Sequence, residues 1–213
     1  ALPLAMSGVH VTGVDLSRNM LDICAQKRSA VAPISGVLQL VQADMRGFAL
    51  ARQFPLVIMP YRTFMHLHTP EDQVRCLECV RAHLAPGARF VLNLWAARPC
   101  TIARAGARKP GAPPEFVGEY DVGDGMRLLH YHAATYDEHQ QRIVETHRIE
   151  EQDPDGRILD HADLRLERTW LTPREMEHLV HRCGLAPIDV LGDFEGTPFD
   201  EESSEMIWVL RRK

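Results

Sequence analysis

The sequence predicts an α/β fold, a mostly parallel sheet flanked by helices and interrupted by an antiparallel insertion. Three observations predict it. Short apolar runs alternate with amphipathic runs over the first 95 residues, the pattern of strand–helix–strand units around a parallel sheet. Three segments of alternating polarity then follow one another from Met126 to Trp170, which predicts an antiparallel meander. A last amphipathic run and two closing strands end the chain.

Each element has a local reason. "ALPLAMS" at residues 1–7 reads as the end of a helix, and Val9 to Asp15 as a strand. Ser17 suits an N-cap, and Met20, Ile23, Cys24 and Lys27 share one face of the helix it starts. Lys27 and Arg28 suit the negative end of that helix dipole. "GVLQLVQAD" is a second short strand, ending at Asp44. "FPLVIMP" is a third, nearly all apolar, as expected for a strand covered on both faces, with Pro55 tolerated only at its start. In "HTPEDQVRCLECVRAHLAPG", Thr69 caps a helix, Pro70 is its first residue, and Glu71 and Asp72 favour its positive end. Val74, Leu77, Val80, Arg81 and Leu84 trace its buried stripe, and Gly87 is expected to stop it. "RFVLNLW" is the next buried strand.

After Trp95 the periodicity disappears. Residues 96–125 are rich in Ala, Pro, Gly and Arg and read as a loop. Arg98, Arg104, Arg108 and Lys109 would let it act as a lid attracting an acidic substrate, or it is a mobile surface loop. "GDG" at Gly123–Gly125 reads as a hairpin or loop turn. The insertion at 126–170 comprises "MRLLHYHAATY", "QRIVETHRIEEQ" and "ADLRLERTWL", the last two joined through the turn signal "DPDG". In "TPREMEHLVHRCG", Thr172 and Glu175 have capping-box spacing, and Met176, Leu179, Val180 and Cys183 form the apolar face. "APIDVLGDF" and "EMIWVLRR" close the chain as a hairpin. No internal repeat or second independent domain is visible, so residues 1–213 are expected to form one domain.

Composition narrows the functional classes. The 213 residues carry a net charge of −5 and are 45% hydrophobic and 25% charged. This argues against a broad nucleic-acid-binding surface. No apolar run approaches the length of a membrane span, and the N-terminus lacks the basic start of a signal peptide. Five scattered cysteines imply no disulfide framework and point to a reducing, cytoplasmic setting.

In this order, these residues resemble the class I S-adenosylmethionine-dependent methyltransferases. "VTGVDLSRNML" looks like the end of that fold's second strand and the following helix, and "LVQADMRGF" like the acidic turn after its third strand. "FPLVIMPYRTFMHL" looks like the fourth strand and active-site loop. "HLAPGARFVLNLW" looks like the turn and fifth strand, with Ala88 where the family often has a second glycine. The last helix and closing hairpin resemble the family's reversed final strand. The resemblance implies a Rossmann-like methyltransferase sheet, S-adenosylmethionine as cofactor, and methyl transfer to a small molecule. It places Asp15 at the cofactor's ribose, Asp44 and Met45 at its adenine, and Leu16 and Pro60 among the other residues that bind it. A carboxylate at a strand end suits two ribose hydroxyls, and an acid with an adjacent N–H suits adenine. Both acids also suit helix caps or solvated turns.

One departure from the family is plain. Its first motif, a strand followed by a glycine-rich turn, has no counterpart in the chain. That strand is central in the family's order, between the strands ending at Asp15 and Pro60, and its omission would separate them by roughly 9.6 Å, two ladder spacings. Direct pairing of the flanking strands, a strand from a partner chain, or a longer natural protein would each resolve this. Impaired activity and dimerisation through the exposed edge are the corresponding expectations.

Methyl transfer is an in-line displacement that needs alignment and sometimes a base. Tyr61 and His66 are candidates for placing or deprotonating the acceptor, and Arg62 for holding an acidic one; His66 also suits packing or helix capping. This loop and the meander resemble most the small-molecule members, including those acting on amino sugars. Cys76 and Cys79 form a CxxC inside a predicted helix and read as structural. His130 and His132 share one strand face, and His147 can lie nearby. They read as surface histidines, with a metal site the weaker alternative and no metal expected. A cofactor-independent role is the remaining alternative, either a binding protein or an esterase-like hydrolase, although no G-x-S-x-G elbow is present.

Overall fold

The computed structural model describes residues 1–31, 35–98, 102 and 113–213. Helix α1 (Leu2–Met6) leads into β1 (His10–Asp15), α2 (Arg18–Ser29) and β2 (Val37–Gln42). Next come β3 (Phe54–Met59), one 3₁₀ turn (Thr63–His66), α3 (Pro70–Ala82) and β4 (Leu84–Trp95). The insertion contains β5 (Glu115–Gly123), β6 (Met126–Asp137), β7 (Arg142–Gln152) and β8 (Ile158–Thr169). Helix α4 (Pro173–Arg182), β9 (Leu185–Leu191) and β10 (Glu205–Arg212) complete the chain.

The strands form three hydrogen-bonded groups among the described residues. β1 and β2 pair in parallel. A mixed sheet has the order β3-β4-β10-β9, in which β3 and β4 are parallel and β10 is antiparallel to both neighbours. The insertion is a four-stranded antiparallel sheet, β5-β6-β7-β8. Direct pairing of β1 with β3 is not found; among the described residues each pairs on one side only. Nor is β3 covered on both faces as its apolar sequence predicts: Leu56 and Ile58, two apart and so on one face, stay 53% and 48% exposed.

Packing explains the remaining departures. The main core gathers Phe64, Met65, Leu77, Val80, Phe90, Leu92, Met176, Leu185 and Trp208 around the mixed sheet. Ala5, Leu21 and Leu38 are buried outside it, beneath the two-stranded sheet. That sheet is narrow, so α2 buries Leu21 while Met20, predicted on the apolar face, is exposed. Gly36 is needed here, because a Cβ would lie 2.2 Å from the Val9 carbonyl oxygen and 2.8 Å from that of Ala5. Helix α3 ends at Ala82, before Gly87, because Phe54 N donates to His83 O at 2.8 Å and the chain enters β4 at once. Gly87, at φ 76°, instead serves the register shift within β4.

The last helix follows its sequence closely. The Thr172 hydroxyl accepts from Glu175 N, and the Glu175 carboxylate accepts from Thr172 N, a complete capping box. In the region read as a loop, 96–125, Glu115–Gly123 is a strand. Bulges at Phe116/Gly118 and Asp121/Gly123 break its alternation, which hides it from a period-two reading. The "GDG" triplet does turn a hairpin, with Gly123, Asp124 and Gly125 all at positive φ. Arg104, Arg108 and Lys109 lie outside the described residues, and Arg98 pairs with Glu202 at 3.2 Å.

Candidate active site

Asp15 ends β1 and is solvent-exposed. Its Oδ1 accepts from Ser17 N at 2.8 Å, an Asx turn, while the Ser17 hydroxyl accepts from Met20 N and caps α2. Gln42 Nε2 donates to Leu16 O at 3.2 Å and Ala43 N to Asp15 O at 3.1 Å, tying the carboxyl ends of β1 and β2 together. Leu16 lies beside them, 65% exposed, an apolar side chain next to a carboxylate at a strand end.

Asp44, just past β2, has a different setting. Arg46 closes over it: the guanidinium donates to both carboxylate oxygens at 2.6–3.0 Å, and Arg46 N donates to Oδ1 at 2.8 Å. Arg46 Nη1 also reaches Asp72 on α3 at 2.9 Å. The hydrogen bonds from Arg46 hold the Asp44 carboxyl down at about 2. Its folded value is depressed, so the stability it contributes is present above its ordinary value of 3.8 and is lost as pH falls through about 2. Arg46→Met should return the Asp44 carboxyl toward 3.8, read by carboxyl NMR titration; an unchanged value would mean that Arg46 is not the cause. The segment after Asp44 is fastened to α3. His83 donates from Nδ1 to Cys79 O at 2.8 Å and accepts from Leu50 N at Nε2, and Cys79 Sγ donates to Phe48 O. Met45 and Phe48 pack on the main core. Cys76 is buried, and burial pushes its thiol up to about 12, so the CxxC is structural.

The loop after β3 carries backbone strain. Tyr61 and Arg62 have φ of 59° and 57°, two successive non-glycine residues in the left-handed region. Each costs on the order of 1–3 kcal/mol and persists only where the surroundings enforce it. The enforcing contacts are visible. Arg62 N donates to Asn93 Oδ1 at 3.2 Å, the Arg62 guanidinium forms a close ion pair with Glu205, and Asn93 Nδ2 donates to Glu205 Oε2 at 2.9 Å. Asn93 and Glu205 come from β4 and β10. Thr63 bonds back to Pro60 O through both its N–H and its hydroxyl. The Tyr61 side chain is left 91% exposed.

His66 closes the 3₁₀ turn and faces the insertion. Partial desolvation, with Arg168 and His68 adding, pushes its imidazole below the ordinary 6.5; the Glu167 backbone and Glu145 oppose this. His68 Nε2 donates to Glu167 O at 3.1 Å, joining the loop to β8. Tyr136 from β6 packs its ring against Trp95 and Trp170, joining the insertion to the mixed sheet. The face of the insertion that bears Tyr136 also brings together His130, His132, Glu145 and His147. His132 and His147 are directly opposite, and each histidine of the group is half-buried. Arg168 forms a close ion pair with Glu145, and desolvation and His132 lower the His147 imidazole.

Of the residues singled out by sequence, the structure gathers Pro60, Tyr61, Arg62 and His66 in one loop and puts Asp15 with Leu16, and Asp44 with Met45, at two neighbouring strand ends. Sequence reasoning missed Arg46, Asn93, Glu145, Arg168 and Glu205. Only Asn93 carried a signal, a polar residue inside the apolar run "FVLNLW".

Acids at the carboxyl ends of parallel strands, and a strained loop at the end of the next strand, are the arrangement of a Rossmann-like fold, in which ligands bind outside the carboxyl ends of the strands. The chain is similar to the class I S-adenosylmethionine-dependent methyltransferases, and that similarity supports methyl transfer from S-adenosylmethionine as its activity. Residues 1–87 match a family described as "Methyltransferase domain". Over 99% of its length the chain is 26% identical to a cypemycin N-terminal methyltransferase from Streptomyces sp, covering 77% of that protein. The CcbJ methyltransferase from Streptomyces caelestis has a similar structure, with a TM-score of 0.77 and 24% identity over 100% of this chain and 78% of that one. An amino pentose methyltransferase from Micromonospora echinaspora, solved with S-adenosylmethionine bound, has a TM-score of 0.66 at 22% identity over 96% and 74% of the two chains. These structures share the fold. The methyltransferase match over residues 1–87 and the methyltransferase relative disfavour the hydrolase and binding-protein alternatives. Among the described residues no helix is long and apolar enough to cross a membrane.

Proposed function

We propose that the chain methylates an amine nitrogen of a small-molecule or peptide-like acceptor. The supporting observation is an imidazole, His66, held toward its neutral form on the loop after β3. A protonated amine has no lone pair with which to attack, so a base that is neutral at pH 7 is the group such an acceptor needs. The relatives named for an N-terminal amine and an amino pentose are consistent with this chemistry.

Asp15 would accept from the ribose hydroxyls of the cofactor with the oxygen that Ser17 does not use, and Leu16 and Pro60 would line the cofactor. Met45 N–H and the Asp44 carboxylate would face adenine, with Arg46 fixing that carboxylate in its charged form. The exposed Asp15–Leu16 pair fits the adenosine half of the molecule. When bound, S-adenosylmethionine supplies an electrophilic methyl carbon. His66 would take the amine proton on its ring nitrogen, and Tyr61 would orient the acceptor through its phenol. With its guanidinium paired to Glu205, Arg62 is better suited to holding the loop than to gripping an acidic acceptor. Nitrogen attack and proton transfer then depend on alignment by this loop.

The chain is further proposed to act as a homodimer in the cytoplasm. Leu56 and Ile58, exposed on a β3 that pairs on one side only, support dimerisation. Unpaired thiols at Cys24, Cys76, Cys79 and Cys183 support a reducing compartment. The reading is tested by incubating the chain with isotopically labelled S-adenosylmethionine and matched acceptors, an amino sugar, a peptide with a free N-terminus, and their hydroxyl-only counterparts. Label should enter the amines; label confined to hydroxyl compounds would overturn the amine assignment. A monomeric mass by light scattering would overturn the dimer.

A further inference from the structure

We propose that His132, Glu145 and His147 form a binding site for a zinc-class divalent cation on the inner face of the insertion, with His130 orienting His147. Side chains two apart on a strand share a face, and directly opposed residues on paired strands do too. His132 is opposite His147, and Ala134 is opposite Glu145, so both ligand strands present their donors to the same side. One ligand atom from each of His132, Glu145 and His147 lies within 4.8 Å of the others. A tetrahedral zinc site with bonds of about 2.0–2.1 Å needs separations of roughly 3.4 Å, a closure within reach of small side-chain rotations. His132 Nε2 and Glu145 Oε1 are already 3.3 Å apart.

The surroundings favour a cation over a simple polar cluster. His132 Nε2 is buried and makes no aligned hydrogen bond. Glu145 is 8% exposed, and Arg168 holds its Oε2, leaving Oε1 turned to His132. His147 Nδ1 is 2.9 Å from His130 Nε2. With the Nδ1 proton donated to His130, Nε2 of His147 is the free ligand nitrogen. Metal-binding histidines characteristically place their second ring nitrogen in such a hydrogen bond, and ligating carboxylates are held by outer partners as Arg168 holds Glu145. Two imidazoles and a carboxylate suit zinc and its neighbours over calcium or magnesium. Three protein ligands leave a fourth position for water or for a heteroatom of the acceptor. The inference does not depend on which acceptor the enzyme uses.

The test is titration of the full chain with Co(II) as a spectroscopic probe for zinc, followed by displacement with Zn(II). A 1:1 complex with the intense visible d–d bands of a four- or five-coordinate nitrogen–oxygen site is expected. His132→Ala and His147→Ala should each weaken it by at least about 100-fold, and His130→Ala by roughly 10- to 100-fold, the usual cost of losing an outer partner. His132→Gln and His147→Gln, which keep the side-chain volume, are measured beside them, with thermal unfolding confirming that each variant is folded. No 1:1 complex in the unmodified chain, binding that survives both histidine changes in folded protein, or a sulfur-to-cobalt charge-transfer band would each overturn the site.

Discussion

Asp15→Ala should weaken S-adenosylmethionine binding by roughly 10- to 10,000-fold, measured by calorimetric titration. The range follows from removing a carboxylate that accepts one or two hydroxyl bonds, each about 1.5–3 kcal/mol for a charged partner, at 1.4 kcal/mol per tenfold. Asp15 also accepts from Ser17 N, so the alanine variant loses an Asx turn as well as a ligand. Asp15→Asn separates the two effects. The amide oxygen can still accept from Ser17 N, which preserves the turn while removing the charge. If Asn binds the cofactor as poorly as Ala while α2 stays intact by circular dichroism, the carboxylate acts on the cofactor. Unchanged affinity in both variants would reduce Asp15 to a turn residue.

His66→Gln should lower kcat by about 10²–10⁴-fold, the range for losing a positioned base. It should also change the pH profile. Desolvation first, then Arg168 and His68, depress the His66 imidazole below 6.5, against the Glu167 backbone and Glu145. The neutral ring is the active form, so activity should fall as pH drops through a value below 6.5, and the glutamine variant should lose that limb. A profile with the same acidic limb in both proteins would assign the titration to another group and leave His66 a packing role. Because kcat/KM reports the free enzyme and kcat the bound complex, both are followed.

The elements of the α/β layer were legible because local rules and tertiary packing agree in them. Thr172 and Glu175 cap α4 as their spacing predicts, and Met176, Val180 and Cys183 are buried as its periodicity requires. Where packing departed from a full two-layer arrangement, the reading failed. Met20 is apolar and on the expected face, but α2 covers only two strands, and Leu21 meets them instead. "FPLVIMP" reads as a fully covered strand, yet the face of β3 that bears Leu56 and Ile58 is exposed. β5 was hidden by its two bulges.

The candidate site divides in the same way. Asp15, Asp44 and the Pro60–His66 loop were visible because each sits immediately after an apolar strand, and strand ends are where an α/β layer presents polar groups. Their chemistry was not visible. That Asp44 is held ionised, that Arg62 is bound to Glu205, and that Tyr61 and Arg62 are strained all depend on partners 2 to 143 residues away in the chain. The histidine face joins residues 17 apart through a cross-strand register.

The sequence by itself determined the helices and strands other than β5, where the acids and the histidine loop stand along the chain, and the family they resemble. These rest on near-neighbour physics: side-chain periodicity, caps and turns. Only the tertiary structure decided which charges meet, which rings stack, and which imidazoles are desolvated toward neutrality. Coulombic and desolvation energies depend on distances through space, and those distances are set by strand register and sheet packing rather than by adjacency in the chain.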